Sequence, residues 1–237
     1  MTDVFIGTPT TRDFSPQYTT CLFRSRIHGR AYFTYVYGQA IDIGRNAVVQ
    51  SFLKTDFEYL LMHDSDATWH EDAIERLASR KLPVVTAVIF KRCVPTVPTI
   101  GKFCGLSAGG HHMYSFADTM NRIIDRYQRE KQGPENHNEQ VFKEQPDDLQ
   151  EIDGCGSHFM LIRRDVLEKI GAPWFECTSP NAGEDFDFCR KVQKAGFKLY
   201  VDYSVFTGHI AGPGLEIGAR EFMLFKDKTS FDTAWEV

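Results

Sequence analysis

The chain has 237 residues, of which 42% are hydrophobic and 25% charged, and its formal net charge is −5. A chain of this length can share one core, so we expect a single domain spanning residues 1–237. The acidic balance argues against a protein that depends on broad binding of a phosphate backbone. No apolar run approaches the ~20 residues that span a bilayer. The first residues, MTDVFIGTPTTRDF, do not have the pattern of a signal peptide. The six cysteines are scattered and include no CxxC pair, which favours free thiols. We therefore expect a soluble, cytoplasmic protein with no membrane span.

Strands and helices alternate through residues 4–90. The predicted strands are 4–6, 31–37, 58–62 and 82–90, and the predicted helices are 17–26, 42–54 and 69–79, with Asp42 as the expected N-cap of the second helix. Such alternation predicts a parallel sheet covered by helices, with the carboxyl ends of the strands at one ligand-binding edge. Thr8, Pro9 and the run Asp64-Ser65-Asp66 all fall at such ends.

The middle of the chain has a different character. Residues 101–114 are rich in glycine and predict a hairpin or loop, 116–131 a helix, and the polar 132–148 a mobile surface loop. Further strands are predicted at 159–162 and 197–201 and further helices at 165–170 and 184–195, and the tail from Ala211 is expected to be only moderately structured.

Asp64 and Asp66 directly follow an apolar strand. Two carboxylates two residues apart can both turn toward the ligand edge once the strand ends, and such a pair suits a hard divalent cation. A solvated turn, or an N-cap for the next helix, is the structural alternative.

A second candidate group lies far downstream. Glu184 and Asp185 open a predicted helix, where acids also stabilise the N-terminus through the helix dipole. Adjacent helical residues point about 100° apart, so one can cap the helix while Asp185 faces a cleft. His209 follows the last strand; a lone histidine is more often structural, but here it could complete a metal site.

The order and spacing of several segments resemble GT-A glycosyltransferases close to family 2, including small enzymes common in phage genomes, over roughly residues 3–210. The resemblance rests on Phe5-Ile6-Gly7-Thr8-Pro9, Gly44-Arg45-Asn46, Leu60 to Asp66, Asp153-Gly154-Cys155-Gly156-Ser157, Gly183 to Cys189 and Gly208-His209. It implies an α/β, Rossmann-like fold with a mostly parallel central sheet flanked by helices and a smaller antiparallel element in the C-terminal half. Residues 1–100 would form the nucleotide-sugar half, 101–210 the acceptor and catalytic half, and 211–237 a tail.

The resemblance also implies an activity, namely transfer of a sugar from a nucleotide-sugar, expected to be a UDP-sugar, to an acceptor hydroxyl with inversion. Asp64, Asp66 and His209 would hold Mn²⁺ or Mg²⁺, and Asp185 would be the catalytic base, with Glu184 in reserve. The donor-binding residues would be Thr8, Pro9, Arg45, Asp64, Ser65, Lys91, Gly154, Cys155 and Gly156. Trp174 or Tyr114 would stack on the acceptor, with ordinary packing as the alternative.

The acceptor stays open between a glycan, a protein and a hydroxymethylated DNA base. For DNA, the basic clusters Arg24 to Arg30 and Lys91 to Lys102 would contact phosphates. The Asp-Asp-Gly-Ser element usual after the second strand of family-2 enzymes is absent, and Tyr37 to Asp42 stand there, which leaves the uracil contact unassigned. A nucleotidyltransferase, a nucleotide-sugar hydrolase and a non-catalytic sugar-nucleotide-binding module are the alternative functions, and the oligomeric state is open.

Overall fold

The computed structural model describes residues 2–129, 138–178, 183–226 and 235–236. The strands are β1 Val4–Thr10, β2 Ala31–Tyr37, β3 Tyr59–His63, β4 Ala67–Trp69, β5 Val84–Val88, β6 Ile100–Leu106, β7 His112–Ser115, β8 Gln140–Val141, β9 Leu149–Ile152, β10 Gly154–Cys155, β11 Phe159–Arg163, β12 Leu199–Gly212, β13 Leu215–Ile217 and β14 Trp235–Glu236. The helices are α1 Pro16–Arg24, α2 Ile41–Leu53, α3 Ala73–Ser79, α4 Ala117–Arg129, α5 Arg164–Ile170, α6 Glu184–Lys194 and α7 Ala219–Phe225.

The large sheet runs in the order β13-β12-β5-β11-β3-β1-β2. β1 is parallel to β2 and β3, and β12 is parallel to β5. Between these two groups lies β11, which is antiparallel to both of its neighbours, β3 and β5. The predicted mostly parallel sheet flanked by helices is therefore confirmed. The reversed strand also brings its own amino end to the edge where its neighbours' carboxyl ends lie.

Burial follows the hydrophobic pattern of the strands. All five residues of β3 are buried, as expected for an apolar strand at the centre of a sheet with both faces covered. Two apolar clusters pack on the two faces of the sheet: Phe5, Leu60 and Met62 belong to one, and Ile6 and Leu61 to the other. The alternation of neighbouring residues between these clusters reflects the period of two along a strand.

A smaller antiparallel sheet has the order β10-β6-β7-β14. The predicted hairpin at 101–114 is its centre, since β6 pairs with β7 in antiparallel register. Gly110, in the turn, has a φ of 79°, a backbone conformation that favours glycine. No helix within the described residues is both long and apolar enough to cross a membrane.

The structure differs from the predicted elements in several places. β1 continues to Thr10, past the predicted end at residue 6, so Thr8 and Pro9 lie within the strand. Trp69 does not begin a helix, because residues 67–69 form β4, which pairs with residues 207–209 of β12, and α3 starts only at Ala73. Asp42 lies in the first turn of α2, whose N-cap is Ala40, so the predicted cap is wrong. The last predicted strand extends far beyond residue 201, since β12 has 14 residues.

The region after residue 129 is only partly described. Residues 130–137 of the predicted surface loop lie outside the described residues. The remainder of that loop includes β8, which pairs with β12. The tail from Ala211 has more regular structure than expected, since it contains β13 and α7.

Candidate active site

Three segments meet at the carboxyl edge of the central strands. β3 ends at His63, and the N–H of Asp64 donates a hydrogen bond to the carbonyl of His158 over 3.1 Å, just before β11 begins. His209 of β12 pairs with Ala67 of β4. Backbone pairing therefore brings residues 64–66, 158 and 209 together although they are far apart in the chain.

Asp66, His158 and His209 form a compact group of metal-ligand atoms, all within 4.8 Å of one another. The Oδ1 atom of Asp66 lies 3.4 Å from Nε2 of His209 and 3.9 Å from Nδ1 of His158. The two imidazole rings lie 4.2 Å apart between centroids. One carboxylate and two imidazoles at such distances can bind a divalent transition-metal ion.

Backbone carbonyls orient both imidazoles. Nε2 of His158 lies 3.2 Å from the carbonyl of Gly208, and Nδ1 of His209 lies 3.1 Å from the carbonyl of Phe90. A carbonyl only accepts, so each of these nitrogens carries the proton in the neutral ring. In the neutral ring the remaining nitrogen turns a lone pair toward Asp66, and Nδ1 of His158 is buried without a hydrogen-bond partner among the described residues. Metal-binding histidines are typically held in this way. Burial opposes a charge on His158, but Asp64 and Asp66 outweigh it and raise the pKa of His158, so a metal ion bound here would take the place of a proton on Nδ1.

Arg45 connects the aspartate loop to the start of α6. Its guanidinium is buried and lies 3.0 Å from Oδ1 of Asp64 and 3.0 Å from Oε1 of Glu184. It also donates to the carbonyl of Ser157 over 3.4 Å. The two acids bind to one planar cation, so Arg45 fixes the relative position of the two predicted motifs.

These contacts determine which groups are ionised. Burial opposes the charge of Asp64, but Arg45 and His158 outweigh it and hold the pKa of Asp64 well below its ordinary value. Burial also opposes the charge of Asp66, yet His209 and His158 keep the pKa of Asp66 lowered. Both carboxylates are therefore negative at neutral pH, the state in which a carboxylate binds a cation.

Asp185 has a different environment. Burial and the neighbouring charge of Glu184 raise the pKa of Asp185 to about 6, and its Oδ1 accepts a hydrogen bond from the N–H of Phe186 over 2.8 Å. Its Oδ2 would lie 3.5 Å from a Cβ atom added to Gly156. Burial also lowers the pKa of the half-buried Lys91, which interacts electrostatically with Asp185. A carboxyl group with a pKa this close to neutrality is suited to proton transfer.

A cavity of about 320 Å³ opens at this edge of the sheet. It is distinct from a second cavity of about 440 Å³ elsewhere on the molecule. The smaller one is lined by Pro9, Thr10, Thr11, Arg12, Gln39, Ile41, Asp64, Ser65, Asp66, Arg92 and His209. Two partly exposed arginines enter it, since Arg92 lies 2.5 Å and Arg12 3.7 Å from Oδ2 of Asp66. The cavity therefore combines the aspartate loop with positive charge, as an anionic diphosphate requires.

Thr8 lies beneath this cavity and does not line it. Its hydroxyl is fully buried and lies 2.7 Å from both the Tyr18 hydroxyl and Nε2 of His63. Burial lowers the pKa of His63 to about 3, so its ring is neutral. The three side chains support the aspartate loop from within the core, and Pro9 is the predicted nucleotide-loop residue that reaches the cavity.

The glycine-containing segment 154–156 packs tightly behind Asp185. A Cβ atom on Gly154 would lie 2.6 Å from the Phe186 ring and 2.9 Å from Tyr114, so only glycine fits there. Cys155 is buried, with its Sγ 4.0 Å from that of Cys189. Gly156 is the member of the segment that lies next to Asp185.

The two aromatic residues predicted to stack on an acceptor are both buried. Tyr114 is 1% exposed, and Trp174 is 6% exposed and donates from Nε1 to the carbonyl of Leu167. Ordinary packing therefore accounts for both rings.

The basic clusters considered for phosphate contacts are paired with acids. Arg24 and Arg26 contact Glu71, and Arg30 contacts Asp3 and Asp56. In the second cluster, Lys102 lies 3.7 Å from Asp153, and Arg92 is held by Asp66. These pairs disfavour broad contact with a nucleic-acid backbone.

Sequence reasoning missed His158 and Arg12, and it considered Arg92 only as part of a basic cluster for nucleic-acid phosphates. His158 stands between the glycine segment and β11, and its position at the edge follows only from the reversed direction of that strand. Arg12 and Arg92 follow the ends of β1 and β5 closely, and this placement is the signal that could have identified them.

Comparison with known proteins supports the fold. No protein-family model and no curated protein matches the chain. Among solved structures, A197 from STIV is similar with a TM-score of 0.54 and 16% identity, over 88% of this chain and 85% of that one. A structure of GalNAc-T7 with UDP, GalNAc and Mn²⁺ is similar with a TM-score of 0.54 and 9% identity, over 94% of this chain and 47% of that one, so the chain spans about half of GalNAc-T7. With the sheet order described above, these likenesses show that the chain has the Rossmann-like GT-A fold.

Proposed function

We propose that the protein is a metal-dependent glycosyltransferase that uses a nucleotide-sugar donor. The observation that carries this proposal is the arrangement of Asp66, His158 and His209 beside a cavity with two arginines. Backbone carbonyls hold one nitrogen of each imidazole, so the other nitrogen of each ring faces the carboxylate and is placed to bind a metal ion. A fold similar to that of GalNAc-T7, a protein solved with UDP and Mn²⁺, supports the same reading.

Asp66, His158 and His209 would hold the metal ion, with the negatively charged Asp64 beside them. We propose this set in place of Asp64, Asp66 and His209, because the ligand atoms of Asp66, His158 and His209 all lie within 4.8 Å of one another, whereas the buried Arg45 holds Oδ1 of Asp64. A mixed carboxylate and imidazole set suits Mn²⁺ better than Mg²⁺. When bound, the ion would supply Lewis-acid neutralisation of the charge that develops on the diphosphate.

The donor would occupy the cavity between the β1 end and the aspartate loop. Arg12 and Arg92 would move from Asp66 onto the diphosphate, because phosphate oxygens are strong acceptors for guanidinium groups. Pro9 and Gln39 would contact the nucleoside. We choose UDP-sugars as the first donors to test, since GalNAc-T7 was solved with UDP.

Asp185 would be the catalytic base. It would accept the proton of the acceptor hydroxyl as the acceptor oxygen bonds to the anomeric carbon and the bond from that carbon to the phosphate oxygen breaks. The bonding electrons then remain on the nucleoside diphosphate, and a direct displacement of this kind inverts the anomeric centre. Glu184 would not serve as base, because its carboxylate is bound to Arg45.

Asp66→Ala provides the first test. We expect it to abolish Mn²⁺-dependent release of UDP from UDP-sugars, while circular dichroism remains that of the wild type. Asp165 on α5, which pairs with Arg163 at the end of β11, offers a matched control, since Asp165→Ala removes an aspartate at the opposite end of β11 from the metal site. Full activity of Asp66→Ala would contradict the metal assignment.

The acceptor is identified by a second experiment. The enzyme and donor are incubated with glycans, protein or hydroxymethylated DNA, and mass spectrometry detects the glycosylated product. DNA is the least favoured of these acceptors, because the basic clusters are paired with acids. Donor hydrolysis that no acceptor accelerates would indicate a nucleotide-sugar hydrolase. Calorimetric binding of UDP without turnover would indicate a non-catalytic binding module.

A further inference from the structure

The cavity of about 440 Å³ lies on the other face of the ribbon that carries His209. In this ribbon His209 pairs with Ala67, and the next pair, Gly208 with Thr68, points to the opposite face. Thr68, Trp69, Glu71, Glu139 and Glu216 are among the lining residues. The cavity is thus separate from the site described above, although the two share one β-ribbon.

Two acids line this cavity without an ion pair to its basic residue Arg24, which is paired with Glu71 instead. Glu139 precedes β8 and Glu216 lies in β13, and neither has an ion-pair partner among the described residues. Burial and the charge of Glu139 raise the pKa of Glu216 to about 8. Two carboxylates in one cavity repel each other unless a proton or a cation lies between them.

The backbone holds these acids in place. The side chain of Asn138 donates from Nδ2 to the carbonyl of Glu216 over 3.4 Å and accepts from the N–H of Arg220 over 2.9 Å. Asn138 is adjacent to Glu139, so this bridge holds the backbone beside Glu139 against the backbone of Glu216. The fold therefore brings both acids to the same cavity.

A buried hydroxyl completes the group. Thr68 is 1% exposed, and neither its Oγ1 nor Oε1 of Glu216 makes a well-formed hydrogen bond within the described part of the chain. A Cβ atom on Gly208 would lie 2.1 Å from the Glu216 oxygen and 2.3 Å from the Thr68 oxygen. Glycine at 208 is what leaves space for these two oxygens side by side.

We propose that Glu139, Glu216 and Thr68 form a second cation site, which takes a hard divalent ion of the Ca²⁺ type. The three side chains of this site offer only oxygens, whereas the Asp66 group contains two imidazoles; Cys21 and His70 also line the cavity but are not part of the proposed site. Ca²⁺ accepts six to eight oxygen ligands in flexible geometry, and the cavity has room for the water molecules that would complete such a shell. Binding would remove the repulsion between the two acids and join β4, β8 and β13.

Terbium is the probe for this site, because Tb³⁺ occupies Ca²⁺ sites and its emission is sensitised by a nearby tryptophan. Trp69 lines the cavity. We expect sensitised Tb³⁺ emission that decreases when Ca²⁺ displaces the bound Tb³⁺. We expect Glu216→Gln and Glu139→Gln to weaken Tb³⁺ binding by about tenfold or more, as loss of a metal-site partner commonly does. Asp66→Asn should retain the emission, which separates this site from the other one.

Two further measurements keep the test decisive. Glu71→Gln is the matched control, since Glu71 lines the same cavity but is paired with Arg24 and Arg26. Ca²⁺ should raise the thermal midpoint of the wild type and of Asp66→Asn but not that of Glu216→Gln, a variant expected to fold because it removes a repulsion. Unchanged Tb³⁺ affinity in Glu216→Gln, or loss of emission in Asp66→Asn alone, would overturn the proposal.

Discussion

Replacing Arg45 by methionine tests the electrostatic centre of the site without any assumption about substrate. Arg45 is 3% exposed and lies 3.0 Å from both Asp64 and Glu184. Methionine fills much of the same space but leaves two acids in a buried place without their cation. Removing one partner of a buried ion pair commonly costs about 3–5 kcal/mol. At roughly 2–4 °C per kcal/mol for a chain of this size, the thermal midpoint should fall by roughly 6–20 °C.

The pH dependence of this loss of stability follows from the direction in which the pKa of Asp64 is shifted. In the folded wild type the pKa of Asp64 lies below its unfolded value, so its contribution to stability is complete above the unfolded pKa and disappears as pH falls through the folded pKa. Without Arg45, burial raises the pKa of this group instead. The stability difference between wild type and Arg45→Met should therefore be larger at pH 7 than at pH 5.

Urea denaturation at the two pH values measures this difference, with Arg163→Met as the control, because Arg163 pairs with an exposed acid on the surface. If Arg45→Met lowers the free energy of unfolding by less than about 1 kcal/mol, the size typical of surface pairs, the reasoning is refuted. A loss of unfolding free energy that is the same at pH 5 and pH 7 would refute it as well.

Three further outcomes are expected. Asp185→Asn should retain binding of UDP in calorimetry and lose transfer, and loss of UDP binding would contradict the base role. The wild-type rate should decline as pH falls below about 6, because the pKa of Asp185 is raised to about 6 and only the carboxylate accepts a proton. Gly154→Ala should lower the thermal midpoint, because its Cβ would lie 2.6 Å from the ring of Phe186, and an unchanged midpoint would show that this packing is loose. Tyr18→Phe should cost about 1–2 kcal/mol in urea denaturation, since it removes the buried partner of Thr8 over 2.7 Å, and a cost near zero would show that the hydroxyl contributes nothing.

Local pattern alone was enough to predict several central strands and the helices that flank them. The strand 31–37 was predicted with its observed bounds, and α2, β3 and α6 are each within one or two residues of the prediction. These segments have apolar runs or helical periodicity that a window of ten residues contains. Trp69 was assigned to the wrong element because β4 has only three residues, and its extended form depends on pairing with β12.

The site was predicted only in part. Asp64, Asp66 and His209 meet at one edge of the sheet, as expected from their positions after strands. His158 was not identified, since its place depends on the direction of β11. That direction has no local signal, because the apolar run of residues 159–162 is the same whichever way the strand lies in the sheet.

By itself, the sequence determined the alternation of strands and helices, the buried central strands and the acids at their ends, because side-chain periodicity and turn residues act over a few positions. Only the tertiary structure decided which strand is reversed, which acid Arg45 binds and which imidazoles share Asp66. Those choices depend on strand pairing and ion pairs between residues far apart in the chain, such as the 139 positions between Arg45 and Glu184. Packing of the whole sheet selects among such pairings, and no local stretch of sequence contains that information.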